Sequence, residues 1–579
     1  MRLLDSRRLA GPNLHTRRAG AVAEVAFEEG EDPQRAIALW EEEVRDLAQR
    51  LELALVNPSV RRFTNGAALA FEAPLDVLMV ASDVNDAAIE RATKRLRNET
   101  TLDEPMLSEL RTKRDEQRRP VLVALAQEAA RREVPLLWDD ETLSLGTGKG
   151  SRSFALDALP DAAAIEWGSF ARIPVALITG TNGKSTSARL LARVVKTAGK
   201  HVGLASTDFV AVDEQVIERG DYTGPGAARL VLRREDVEVA VLETARGGIL
   251  RRGLAIDRAD AALITNVADD HLGEYGIDSV EQLARAKAVV GTIVKPAGRV
   301  VLNADDAQLV KLSIEAPGTF SAPLTWFALE PRNEHVQRHA RMGGDTWSVI
   351  DGALASRTGE GPWTALVRVD EVPLTWGGAA TYNLANALGV AALATALGLP
   401  RDAIARGLRS FKSSHEDNPG RGNLVDSQGV FVLLDFGHNA HGIAQVGKLV
   451  QALRAGRTGL PHATGALTVL AACAGDRSDR NLGDIADELI AMRPARVLVR
   501  DLPDYLRGRK PGEVPAILAR LLHERGLPHE AIEQHESELA SLKSALSRSQ
   551  PGDLVVALVH LEDQDVQTLL AERGSRSIA

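Results

Sequence analysis

One stretch restricts the fold more than any other: Ile173-Pro-Val-Ala-Leu-Ile-Thr-Gly-Thr-Asn-Gly-Lys-Ser-Thr186. An apolar, β-branched run ends in a glycine-rich turn carrying Lys184 and Ser185. A helical pattern follows, with Leu191, Val194, Val195 and Ala198 on one face and Gly199 as a stop. Strand, glycine turn and helix in this order make a phosphate cradle. The glycines let backbone N–H groups approach phosphate oxygens and the helix N-terminus adds a favourable dipole. Lys184 neutralises charge, and the Ser185 hydroxyl can reach Mg²⁺. The strict pattern G-x-x-x-x-G-K-S/T is not met, because Ile178 stands at its first glycine. Gly180–Thr186 is read as a nucleotide site.

At 579 residues the chain has room for about three to four domains, each with its own core. Lys plus Arg number 69 against 79 Asp plus Glu, and the net charge of −10 argues against a nucleic-acid surface and for small-molecule substrates. The single Cys473 gives no intramolecular disulfide and suits a reducing compartment. Met1-Arg-Leu-Leu-Asp-Ser-Arg-Arg8 lacks the apolar core of a signal peptide, and no run reaches membrane-spanning length. A cytoplasmic protein is expected.

Residues 1 to about 165 read as a separate α/β region. In it Leu75–Ala81 is expected to be a strand, and the charged stretch from Asp86 to about Arg118 to be helical with solvated faces. Leu143–Arg152 is a second glycine-rich, basic turn, open to two readings, a flexible hairpin or a phosphate contact. From Ile173 strands and helices alternate, which predicts a mostly parallel sheet. Val237–Leu242, Ala261–Val267 and Arg299–Leu302 each run into polar residues: Glu243, Asp269-Asp-His271 and Asn303-Ala-Asp-Asp306. Ligands of open α/β sheets bind at strand carboxyl ends, so these groups should converge on the phosphate loop. Between about Thr319 and Gly378, antiparallel hairpins around Trp347–Ile350 and Leu366–Val369 are expected, followed by a helix over Asn383–Gly398. The polar stretch Ser413–Gly420 reads as a boundary and hinge. Beyond it Val430–Leu434, Ala466–Ala471, Arg496–Val499 and Leu554–Leu558 predict a second open α/β unit.

Taken alone, Glu243 is either a Mg²⁺ carboxylate or an ordinary strand-end group, and Lys287 reads as a solvated helix lysine. His271 reads as a site residue because of its place beside the phosphate loop. Together the residues resemble a known family. Thr179–Thr186, Asn266–His271, the helix carrying Lys287, and Asp435-Phe-Gly-His-Asn439 are similar to the Mur ligases, ATP-dependent amide ligases that include folylpolyglutamate synthetase. Five segments resemble the Mur-ligase-like half of cyanophycin synthetases: Gly220–Pro225, Glu243–Leu250, Asn418-Pro-Gly-Arg421, Gly475-Asp-Arg477 and Arg507-Gly-Arg509. Arg8–Asn13 resembles the opening of the N-terminal domain of those enzymes.

The resemblance implies an α/β fold in three parts. These are a small N-terminal domain over 1–165, a P-loop Mur ligase central domain over 166–417 with inserted antiparallel hairpins, and a Rossmann-like C-terminal domain over 418–579. It implies a ligase that activates a carboxylate as an acyl phosphate with ATP and Mg²⁺, then joins it to an amine. On that pattern Gly180, Thr181, Asn182, Gly183, Lys184, Ser185 and Thr186 hold the phosphates, and Asn303 contacts adenine. Arg421, Asp435 and His438 close over the nucleotide. Ser185 and Glu243 bind one Mg²⁺ and His271 a second, supported by a carbamylated Lys287. The expected catalytic residues are Lys184, Glu243, His271, Lys287 and Arg421. Expected partners are small-molecule amine and carboxylate substrates, a second copy of the chain and a separate ATP-grasp protein, with no nucleic acid and no membrane.

One departure limits this carry-over. Cyanophycin synthetases hold an ATP-grasp domain between their N-terminal and Mur-like parts, whereas here only about 20 residues separate Arg152 from the phosphate-loop strand. One nucleotide site, hence one kind of bond, is expected. Two other readings are an auxiliary nucleotide-binding subunit and a peptidoglycan- or folate-type ligase.

Overall fold

A computed structural model describes residues 1–99, 104–457 and 459–578. The phosphate-loop strand, Val175–Thr179, lies near the middle of an eleven-stranded sheet, between Val239–Glu243 and Ala259–Ile264. Outward on one side run Val294–Asn303, Leu324–Phe327 and Asp345–Ile350, and on the other Val202–Ala205, all neighbours being parallel. Every side chain of Val175–Thr179 and Val239–Glu243 is buried, as expected of strands covered on both faces. Helices Lys184–Thr197, Thr381–Ala396 and Arg401–Ser410 pack on one face. Pro225–Leu232, Val280–Thr292 and Ala307–Glu315 pack on the other. Each large apolar side chain buried this way contributes roughly 1.5–3 kcal/mol.

The antiparallel hairpins expected between 319 and 378 are present at the sheet edge. Ala353–Thr358 and Thr364–Arg368 pair onward from Asp345–Ile350, so they prolong the sheet rather than interrupt it. The C-terminal seven-stranded sheet has a parallel core in the order Ile532–His535, Arg496–Arg500, Leu467–Ala472, Leu554–Leu558 and Val430–Asp435. Arg421–Ser427 adds antiparallel to Val430–Asp435.

The N-terminal region departs from expectation. Leu75–Ala81 is not a strand: a 3₁₀ turn at Leu75–Val77 leads into the helix Leu78–Leu96. The apolar run continues at helical spacing through Val84, Ala88 and Ala92, all buried against a four-stranded antiparallel sheet. A short, mostly apolar stretch of seven residues fits either element, and its continuation decides. The helical stretch after Asp86 divides into Leu78–Leu96 and Glu104–Gln117, and residues 100–103 of it lie outside the described residues. Leu143–Arg152 spans a hairpin in a separate three-stranded sheet. Lys149 Nζ pairs with Glu238 at 2.9 Å, beside the N-terminal end of Val239–Glu243. That is the end of the sheet opposite the phosphate loop, so the hairpin makes no phosphate contact there.

Candidate active site

Gly183 caps the helix Lys184–Thr197 in a left-handed conformation, φ 82°. A Cβ there would lie 2.3 Å from Asn386 Oδ1, and one at Gly180 would lie 1.9 Å from Thr265 Oγ1. The glycines therefore let the loop sit against the neighbouring strand end and the helix above it. The loop is fastened locally. Thr181 N donates to Asn266 O at 2.9 Å, Asn182 N to Asn266 Oδ1 at 2.9 Å, and Thr265 Oγ1 to Asn182 O at 2.6 Å. Lys184 Nζ curls over its own loop onto Thr181 O, 2.9 Å away.

Glu243 ends the adjoining strand and is 2% exposed. Its Oε1 accepts from Ser185 Oγ at 3.1 Å and Thr207 Oγ1 at 2.7 Å, and its Oε2 from Thr207 N at 3.0 Å. A hydroxyl and a carboxylate thus meet beside the phosphate loop, a donor set that suits a hard divalent cation. Lys287 is not a solvated lysine. It is 4% exposed, and its Nζ donates to Gly180 O at 2.8 Å. Burial, and then the nearby Lys184 cation, push its ammonium well below the usual lysine range.

His271 and Asp270 meet the C-terminal unit crosswise. His271 Nδ1 lies 3.6 Å from Asp476 Oδ2, and Arg477 Nη1 lies 2.6 Å from Asp270 Oδ1. His438 Nε2 stands 3.5 Å from Asp270 Oδ2. Burial raises the Asp270 carboxyl, but His438 and Arg477 outweigh it and hold that group well below the carboxylate range. Asp270, His271 and His438 each turn one ligand-capable atom into a group less than 4.8 Å across.

The C-terminal unit also reaches the phosphate loop directly. Asn182 and Asn439 exchange side-chain hydrogen bonds at 3.1 Å, and His441 Nδ1 lies 2.9 Å from Asn182 Nδ2. The Arg421 guanidinium lies 4.2 Å from the centre of the Phe436 ring. Burial pushes the Asp435 carboxyl up to about 6 despite Arg421 beside it. Asn303 lines the same space, with its amide tied to Thr265 O at 3.0 Å and Asp305 N at 2.9 Å. Ser413–Gly420 is no loose linker. Asn418 is fully buried, and its Oδ1 accepts from Thr186 Oγ1 and Arg189 Nη1 at 3.3 Å, which anchors the stretch on the phosphate-loop helix.

Gly180–Thr186, His271, Lys287, Asn303, Arg421, Asp435 and His438 all line one cavity of about 890 Å³, with Glu243 behind Ser185. Sequence reasoning missed Thr207, which no motif marks, Arg246, which lay inside the resembling segment Glu243–Leu250 with no role attached, and the buried Tyr382 hydroxyl, which lines the cavity without a hydrogen-bond partner. Asp476 and Arg477 stood inside a recognised segment with no role attached.

Residues 178–394 match the Mur ligase middle domain. The cyanophycin synthetase of Synechocystis sp. is 37% identical over 410 residues, covering 70% of this chain and 44% of that enzyme. The chain thus spans less than half the length of this curated relative. The UDP-N-acetylmuramoyl-L-alanyl-D-glutamate–2,6-diaminopimelate ligase of Geobacter metallireducens is 29% identical over 329 residues, 55% of this chain and 58% of that one. Among solved structures, a bifunctional folylpolyglutamate synthase/dihydrofolate synthase from Yersinia pestis, complexed with AMPPNP and Mn ion, aligns at 18% identity. It covers 68% of this chain and 88% of that one, with a TM-score of 0.48. The stretch that matches the Mur ligase middle domain begins in the strand Val175–Thr179 and ends in the helix Thr381–Ala396, so it includes Lys184, Glu243, His271 and Lys287.

Proposed function

We propose that the chain is an ADP-forming, ATP-dependent carboxylate–amine ligase that adds an amino acid to a peptide-like or small acyl acceptor through an acyl phosphate. The observation that carries this reading is the meeting of two units on one cavity. The phosphate loop, Glu243 and Lys287 come from the central unit, while Arg421, Asp435 and His438 come from the C-terminal unit. About 890 Å³ is room for a nucleotide and a second small ligand. We take the division at 165 and 417 as the domain boundaries of this ligase.

Backbone N–H groups of Gly180–Thr186 and the Lys184 ammonium would hold the ATP phosphates. The acceptor carboxylate attacks the γ-phosphorus, ADP leaves, and the acyl phosphate forms. The amine then attacks the acyl carbon, loses a proton, and phosphate departs with its bonding pair. Positioning and charge neutralisation carry such chemistry. Ser185 with Glu243 would hold one divalent cation and His271 a second, and the ions would supply neutralisation of phosphate charge. Lys287 fits the carbamate role. Its depressed ammonium favours the neutral amine that adds CO₂ with release of a proton, and the product is an anion in place of that amine. The Asn182–Asn439 pair and the Asp270–Arg477 bridge tie the central and C-terminal units together across the site.

The test is an ADP-release screen of free amino acids against short Asp- or Glu-containing acceptors, with product masses. Amide product from one amine–acceptor class, absent with Lys184→Ala, is expected. Polymer formed by the chain alone from aspartate and arginine would refute the single-site reading.

A further inference from the structure

The loop that presents His271 is bent in an unusual way. His271, Gly273, Tyr275 and Gly276 have φ of 53°, 90°, 54° and 61°. Two of these four left-handed residues carry full side chains, for which that conformation is unfavourable and persists only where the surroundings over-determine it. Two internal hydrogen bonds, Gly273 N to Ile277 O at 2.8 Å and Ile277 N to Glu274 O at 3.0 Å, close the turn. Arg246 holds it from the cavity side, donating to His271 O at 2.8 Å and pairing with Glu274.

From the outside the N-terminal sheet holds it. Arg61 Nη1 donates to Gly276 O at 2.6 Å and Nη2 to Tyr275 O at 2.7 Å, so one planar guanidinium fork grips the two successive left-handed residues. Phe63 covers Gly276 so closely that a Cβ there would lie 2.4 Å from its ring. Thr64 N donates to Asp278 Oδ2 at 2.7 Å, next to Ser279, which caps the helix bearing Lys287. The Arg7 guanidinium stands 4.8 Å from the centre of the Tyr275 ring, and its Nε donates to Leu250 O at 2.9 Å. These groups come from residues more than 200 positions away in the chain.

We propose that the N-terminal sheet is a working part of the catalytic site, with Arg61 as a positioning residue that holds residues 271–276 in the left-handed form presenting His271 to the cavity. This rests on His271 as a ligand of the divalent cation. Removing Arg61 frees two carbonyls and lets the loop relax, while the phosphate loop, fastened to Thr265 and Asn266, keeps its shape. The metal requirement should therefore change while nucleotide affinity does not.

The experiment compares the full-length chain with Arg61→Ala and Arg61→Lys. Expected for Arg61→Ala is a rise of about tenfold or more in the Mg²⁺ concentration for half-maximal ADP release, the range for lost support of a metal ligand. Mn²⁺ binding read by electron paramagnetic resonance should weaken in parallel, with an unchanged ATP dissociation constant without metal. Arg61→Lys, able to reach one carbonyl, should fall between. Hydrogen exchange at the amides of residues 273–277 should accelerate in Arg61→Ala. Unchanged metal dependence and unchanged exchange, alongside an inactive Lys184→Ala, would overturn the proposal and leave the ligase reading intact. If the wild-type chain releases no ADP, the ligase reading fails and the exchange result decides the Arg61 proposal alone. If Arg61→Ala does not fold, the wild-type protein supplies the test. Amides of 273–277 should then open together with those of the N-terminal strands Val56–Phe63 and Gly66–Glu72, and independent opening would overturn it.

Discussion

Two loops leave neighbouring strands of the central sheet and line the same cavity, and they are held by different means. Gly180–Lys184 places glycine at its left-handed cap and is fastened by Thr265 and Asn266 of its own unit, with Asn439 and His441 reaching Asn182 from the C-terminal unit. His271–Gly276 places a histidine and a tyrosine at left-handed positions and, besides Arg246 of its own unit, takes restraints from Arg61, Phe63 and Thr64 of the N-terminal region. Where the chain spends glycine the geometry is cheap and local. A residue with a Cβ in that region costs roughly 1–2 kcal/mol, and the support must come from elsewhere.

The largest effect should follow from the locally built loop. Lys184→Ala should lower turnover by at least about 10²-fold with little change in melting temperature, because the lysine serves the ligand and not the fold. Near-normal ADP release would break the comparison at its first term.

Next comes a glycine in the distantly held loop. Gly276→Ala should drive its new methyl into Phe63, lift the loop and raise the Mg²⁺ requirement about tenfold. Phe63→Ala in the same chain should recover part of that loss. If the double variant is no better than the single one, the N-terminal contact is not what shapes the loop.

Asp435 shows a third kind of cost, electrostatic rather than conformational. Its folded-state carboxyl titrates near 6, above an ordinary carboxylate, so the folded state gives up its proton reluctantly and loses stability as pH rises from about 4 to 6. Asp435→Asn should therefore melt higher than wild type above pH 7, by up to about 3 kcal/mol, with the gap closing below pH 4. Melting curves across that range check it, and a gap that widens on acidification would contradict the burial argument.

The smallest effect belongs to Lys149, in the glycine-rich hairpin on the far side of the sheet. It makes an exposed ion pair with Glu238, so Lys149→Ala should change stability by about 0.5 kcal/mol or less and leave metal and ATP dependence unchanged. A fall in ATP affinity would return that turn to the list of phosphate contacts.

The same contrast explains what could be read from the sequence. The phosphate loop was legible because glycine, lysine and serine spacing is itself the restraint, and the strand ends at Glu243 and Asn303 were legible because parallel sheets gather them. The role proposed for Lys287 came from the resemblance alone, since burial on an alanine-rich helix leaves no local mark. Arg61 and Phe63 were illegible: nothing near them points to Tyr275 or Gly276, and only the folded chain brings the sheets together. Leu75–Ala81 was misread for a related reason. Seven residues, six of them apolar, carry no period long enough to separate a strand from a helix start.

The central claim is that one site makes an amide through an acyl phosphate, and oxygen transfer tests it most directly. An acceptor found by the ADP screen, labelled with ¹⁸O in its reacting carboxylate, would be incubated with ATP, Mg²⁺ and the amine. The account predicts one labelled oxygen in each inorganic phosphate released, with the other retained in the amide carbonyl, and ADP as the nucleotide product. Unlabelled phosphate beside labelled product, or label appearing in AMP, would contradict it.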